Sequence, residues 1–92
     1  MTTTNQTRTR FPLGQLLATR GVLKLGVELR VLFLRHAAGD WGDLEAEDRA
    51  ANDRAVRFGG RIFSAYSLPQ GRVWIITESD RSATTALLPD EY

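Results

Sequence analysis

The sequence predicts an α+β domain in which N-terminal helices pack on one face of a three-stranded antiparallel meander. Three observations carry that expectation. Apolar residues between Leu13 and Phe58 recur mostly at helical spacing. A Gly59-Gly60 pair then interrupts the chain, and beyond it the apolar period shortens to two residues. A block of helices followed by a block of strands is the order of an α+β fold, not of alternating βαβ units. At 92 residues with 42% hydrophobic side chains, the chain can bury one core but is too short for a complete dinucleotide-binding or methyltransferase fold. A single domain is expected over residues 11–92, preceded by a disordered tail over 1–10.

Phe11-Pro12 opens the ordered part: Pro12 suits a first helical position, and Leu13, Leu16 and Leu17 are spaced to cover one helix face, predicting a short helix. Thr19 reads as the N-cap of a second short helical turn, Arg20 to Leu25, ended by Gly26. The segment from Val27 to His36 satisfies two templates. Leu29, Leu32, Phe33 and His36 make a helical stripe, whereas Val27, Leu29, Val31 and Phe33 alternate as a strand would. The helix is preferred, because it keeps Glu28, Arg30 and Arg35 off the Leu29–Phe33 face. Asp43 is placed to cap a long helix from Leu44 to Phe58, with Glu45 and Glu47 in its first turn, Arg54 and Arg57 near its end, and an apolar face of Leu44, Ala51, Ala55 and Phe58. Ile62 to Leu68 and Val73 to Thr77 then form a hairpin through Pro69-Gln70-Gly71. Thr84 to Leu88 adds the third strand, and Pro89 closes it.

Composition bounds the chemistry. Without cysteine, disulfides, thiol nucleophiles and cysteine-ligated metal are excluded. The most apolar stretch, Val22 to Leu34, is broken by Lys24, Glu28 and Arg30 and does not approach the ~18 apolar residues of a membrane span. The Thr-rich opening lacks the apolar core of a secretory signal. A cytoplasmic setting without membrane association is therefore expected. Net charge is +1, but unevenly spread: residues 1–35 sum to +5, residues 36–53 to −5 and the remainder to +1. Two blocks of opposite sign are expected mainly to neutralise each other within the fold.

Two polar clusters stand out. In the first, His36, Asp40 and Asp43 surround Trp41. A lone imidazole beside carboxylates is the composition of an acid–base pair or a divalent metal site, but the spacing lacks the regular alternation of a cation loop. Capping and turn roles for both aspartates, a backbone carbonyl partner for His36 and a core position for Trp41 are the simpler readings. In the second, Glu78-Ser79-Asp80-Arg81-Ser82 followed by Thr84-Thr85 is rich in hydroxyls and charge, as binding loops and ordinary turns both are. No G-x-S-x-G, P-loop or G-x-G-x-x-G is present, and no cofactor or metal is expected. For nucleic acid, the candidates are Arg8 and Arg10, Arg20 and Lys24, and Tyr66 and Trp74 on the sheet, but a net charge of +1 predicts a weak electrostatic footprint.

Taken in order, Phe11-Pro12-Leu13-Gly14-Gln15, Arg35-His36, Gly39-Asp40-Trp41-Gly42-Asp43-Leu44, Asn52, Ser64-Ala65-Tyr66, Trp74-Ile75-Ile76-Thr77-Glu78, Asp80-Arg81-Ser82, Thr84-Thr85 and Leu87-Leu88-Pro89 are words that recur elsewhere. On them, residues 11–92 resemble a family of small bacterial proteins, often plasmid-associated, that sometimes carry a restriction-modification label. The resemblance implies a mobile-element or defence context and no mechanism, and the chain has neither the glycine loop nor the length for a methylase. The expected function is that of a non-catalytic accessory protein that binds another macromolecule, foremost a protein. Its expected contact surface joins His36, Asp40, Trp41 and Asp43 to Asp80, Arg81 and Ser82. The alternatives are a small enzyme, with His36 as acid/base, a carboxylate orienting it and Arg81 receiving an anionic substrate, and a nucleic-acid-binding module.

Overall fold

The computed structural model describes residues 9–92. The expected tail thus falls outside the described residues for positions 1–8, while Arg10 at its end is tied in. Its backbone N–H donates to Ala37 O at 2.7 Å, and its guanidinium lies over the Trp41 ring and 3.5 Å from Asp53.

The domain is α+β. In chain order it comprises β1 (Gln15–Ala18), α1 (Arg20–Lys24), α2 (Leu29–Ala37), α3 (Ala46–Phe58), β2 (Ile62–Leu68), β3 (Gly71–Thr77), β4 (Ala83–Leu87) and a 3-10 turn over Pro89–Glu91. The sheet corrects the expected three-stranded antiparallel meander. It has four strands in the order β1-β4-β3-β2, and β1 runs parallel to β4 while the other pairs are antiparallel. The extra strand occupies the segment expected to be the first helix. Gly14 explains the difference: it sits at φ +66°, and a Cβ there would overlap the Arg81 carbonyl and Ser82. That close approach sets Gln15–Ala18 beside Ala83–Ala86, and ladder pairing overrides the local leucine spacing.

Most of the other expected elements are present with small shifts, but the cap and inward face of the long helix are not the expected ones. Thr19 caps α1, its hydroxyl accepting from Val22 N at 3.3 Å. The ambiguous segment is helical, as α2, with Leu32, Phe33, His36 and Ala37 turned inward. The β2–β3 hairpin turns on Pro69 and Gln70, pairing Leu68 with Gly71. The long helix begins two residues later than expected: Glu45 holds the N-cap position and no side chain caps it. Asp43 does not cap that helix because its backbone is engaged elsewhere, its N–H donating to Ala65 O at 2.6 Å. The inward face of α3 is also rotated from the expected one. Asn52 and Ala55 are buried, whereas Ala51 is exposed and Phe58 is 78% exposed.

Register places side chains in rows across the sheet. One face carries Ala18, Ala86, Ile75 and Ser64 in line, with Leu16, Thr84, Thr77 and Ile62 beside them. The helices pack there. Val22 and Leu32/Phe33 meet Tyr66, Val73, Ile75 and Ala86, and a second cluster joins Ala55 to Phe11, Trp41 and Ile62. Across the sheet, the opposite face carries Leu17, Thr85, Ile76 and Phe63 in one row and Leu87, Trp74 and Ala65 in the next. The 3-10 turn and Tyr92 lie against that face, Tyr92 meeting Trp74 edge-on. The Glu91 carboxylate reaches back from the turn to the start of α1, accepting from Thr19 Oγ1 at 2.5 Å, Gly21 N at 3.1 Å and Leu88 N at 2.8 Å. These donors, Thr19 Oγ1 foremost, hold the Glu91 carboxyl below its usual range.

Candidate functional site

The two sequence clusters do meet, at Phe11. Its ring stacks on Trp41 with centroids 6.1 Å apart, and the Arg81 guanidinium lies 5.8 Å from its centroid. They meet, however, through groups committed to the interior. His36 is fully buried, and both of its ring nitrogens are engaged: Nδ1 with Ser64 Oγ at 2.5 Å and Nε2 with Thr77 Oγ1 at 2.9 Å. The expected backbone carbonyl partner is thus replaced by two hydroxyls from the sheet face that α2 covers.

The hydroxyl chain fixes the imidazole's proton. Thr84 Oγ1 donates to Leu13 O at 2.7 Å, so it accepts from Thr77 Oγ1 at 2.6 Å. Thr77, its only proton spent, accepts from Nε2–H, and Nδ1 is left to accept from Ser64. Every member donates once, and the network connects α2, β2, β3, β4 and the segment before β1. Burial pushes the His36 pKa down to about 4, because a cation there loses hydration without gaining a counter-charge.

Trp41 is also buried, wedged against Phe11 and His36, with Nε1–H donating to Asp53 Oδ1 at 3.3 Å. Arg81 has φ +62°, outside the region non-glycine residues prefer. From that position its guanidinium donates to Gly60 O at 2.7 Å, Ala55 O at 2.8 Å, and Glu78 O and Ser79 O at 3.2 Å. It thus sits at the carbonyl end of α3, where the helix dipole favours a cation, sharing Ala55 O with the Gly59 N–H. Asp40, Asp43, Asp80 and Ser82 remain at the surface. Asp40 pairs with Arg35 at 2.7 Å, which holds its carboxyl below the usual range. Asp80 accepts from Ser82 N at 2.9 Å, and Ser82, foremost through its side chain, lowers the Asp80 pKa.

A different constellation lies on the sheet face opposite the helices. Arg61, Phe63, Trp74, Ile76 and Tyr92 line a cleft of about 280 Å³. Phe63 meets Trp74 edge-on at 4.9 Å, and Trp74 meets Tyr92 at 5.8 Å. Arg61 spans the rim, donating to Tyr92 Oη at 2.8 Å and lying 3.5 Å from Glu78. Trp74 Nε1 is buried without a hydrogen-bond partner among the described residues. Alternation within β2 and β3 was the available signal: Phe63 and Trp74 fall out of phase with Ser64 and Ile75, so they share the face away from the core. Tyr66, grouped with Trp74 as a base-stacking candidate, is instead buried under α2. Its hydroxyl donates to Asp40 O at 2.7 Å, and burial raises its pKa to about 12.

Among the described residues, no helix is long and apolar enough to cross a membrane, and no group of three or more His, Asp or Glu is placed to hold a metal ion. Comparison with family models, curated proteins and solved structures finds no match for the chain.

Proposed function

We propose that the chain is a non-catalytic binding module for another macromolecule, foremost a protein, acting in a mobile-element or defence context. The context rests on the sequence words alone. The binding role rests on one observation, the aromatic cleft formed by Phe63, Trp74, Ile76 and Tyr92 on the face away from the helices. Apolar side chains left together at a surface mark contact sites, and aromatics with arginine are the side chains that concentrate binding energy. The proposed partner presents an apolar anchor to the cleft and a carboxylate to Arg61 and Arg72, the latter exposed on the same face as Trp74. Asp40, Asp43, Asp80 and Ser82 are exposed but lie outside this cleft.

Acid–base chemistry is less well supported, because His36 has no exposed surface and both nitrogens are occupied. Single-stranded nucleic acid is the second reading, since three aromatic rings beside arginines also suit stacked bases. The test is capture from host lysate by wild type and by the double variant Arg61→Ala, Tyr92→Ala, with and without nuclease. A nuclease-resistant protein retained by wild type and lost by the variant supports the proposal. Retention that vanishes with nuclease and falls steeply with salt moves the assignment to nucleic acid. Equal capture by both chains removes the cleft as the contact surface.

A further inference from the structure

The sheet has two edges, and the chain treats them differently. At β2 the outward backbone groups of Phe63 and Ala65 are occupied: Asn52 Nδ2 donates to Phe63 O at 2.6 Å, Asn52 Oδ1 accepts from Phe63 N at 3.1 Å, Ala65 N donates to Trp41 O at 3.1 Å, and Ala65 O accepts from Asp43 N. At β1, Gln15 N donates to Ser82 O and Thr19 N to Ala86 O, so odd-numbered residues turn their backbone groups toward β4. Leu16 and Ala18 therefore turn theirs outward, and among the described residues no strand meets them. Leu16 and Leu17 are 51% and 42% exposed, on opposite faces of the sheet. Gln15–Ala18 contains no charge and no proline, the devices that usually protect an edge.

We infer that this edge is a self-association site, whose occupant is β1 of a second copy added antiparallel about a two-fold axis through Leu17. In that register Leu16 lies opposite Ala18 of the second copy, and each such pair exchanges both backbone hydrogen bonds. Leu17 meets its own counterpart directly on the open face, and Leu16 packs against Ala18 on the helix face. An uncharged strand meets its copy without like-charge opposition. Because β2 is covered at Phe63 and Ala65, pairing consumes the more open edge among the described residues and stops at a dimer instead of growing into a fibre. The Leu17-Thr85-Ile76-Phe63 row would then run across both copies. A four-residue strand buries well under the area of a standard interface, so the dimer is weak.

The test is sedimentation equilibrium from about 10 µM to 1 mM, the range of a weak contact, on wild type, Leu17→Lys and Ser67→Lys, with amide exchange of the same samples. Leu17→Lys sets two cations opposite each other and weakens association by roughly tenfold or more. Ser67→Lys, an exposed position on β2, leaves association unchanged. In wild type, the Leu16 and Ala18 amides gain protection with concentration while Leu17 does not. A monomer at 1 mM, equal association of Leu17→Lys and wild type, or protection confined to other residues overturns the inference.

Discussion

The β2 edge is covered at Phe63 and Ala65 by one side chain and one stretch of backbone, and among the described residues the β1 edge is bare, yet both border the same four-stranded sheet. Asn52 on α3 imitates a neighbouring strand with a single amide, and the Trp41–Asp43 segment makes a one-residue parallel bridge, Gly42 to Ala65. Gly42 permits this because a Cβ there would overlap Ala65 O. Closing an edge requires a well-anchored cover. Trp41 provides the anchor, stacked on Phe11 and His36. At β1, parallel pairing with β4 satisfies only the inner half of the strand. The contrast teaches that edge protection here comes from tertiary anchoring and not from strand composition.

The comparison can be broken from the closed side first. Trp41→Ala removes the anchor and is expected to cost about 4 kcal/mol, measured by urea denaturation; a loss of under about 1 kcal/mol would show that the cover stands without it. Next is pH, because the His36 network links β2 to the segment leading into β1. Below pH 6.5 the unfolded imidazole binds a proton, whereas the folded one resists until about pH 4. The stabilisation from a neutral buried ring is therefore complete above pH 6.5 and is lost as pH falls toward 4, by about 3 kcal/mol. Wild type should lose that much stability relative to His36→Gln across the interval; parallel pH profiles would refute it. Asn52→Ala leaves the Phe63 N–H and C=O without the amide and should cost about 2 kcal/mol, with faster exchange of the Phe63 amide as the local sign. On the bare side, Leu17→Ser changes monomer stability by no more than about 0.5 kcal/mol, measured by the same denaturation in dilute solution; a larger loss would show that β1 carries more of the core than its exposure implies.

Much of the fold was legible because its signals are local. Thr19 before Arg20 marks a cap, Gly59-Gly60 marks a change of period, and alternation from Ile62 to Thr77 marks a hairpin. β1 was not legible, since four residues paired with residues 83–86 leave no local periodicity to separate strand from helix. Gly14 was the informative residue, but the Arg81 and Ser82 backbone that leaves no room for a Cβ there lies far downstream in the chain. The polar clusters were visible as clusters. Their burial was not, because whether His36 faces solvent or Ser64 is decided by which face of α2 the sheet covers. Arg81 illustrates the same limit: its carbonyl partners at Ala55 and Gly60 lie more than twenty residues upstream.

The parallel pairing of β1 with β4 has a consequence for the order of events during synthesis. Gln15–Ala18 is synthesised long before Ala83–Leu87, so Leu16 and Leu17 have no strand on either side until β4 has emerged to pair with them. Closure of the sheet is consequently a late, long-range step, and the window before it is when this segment is most open to capture by a chaperone.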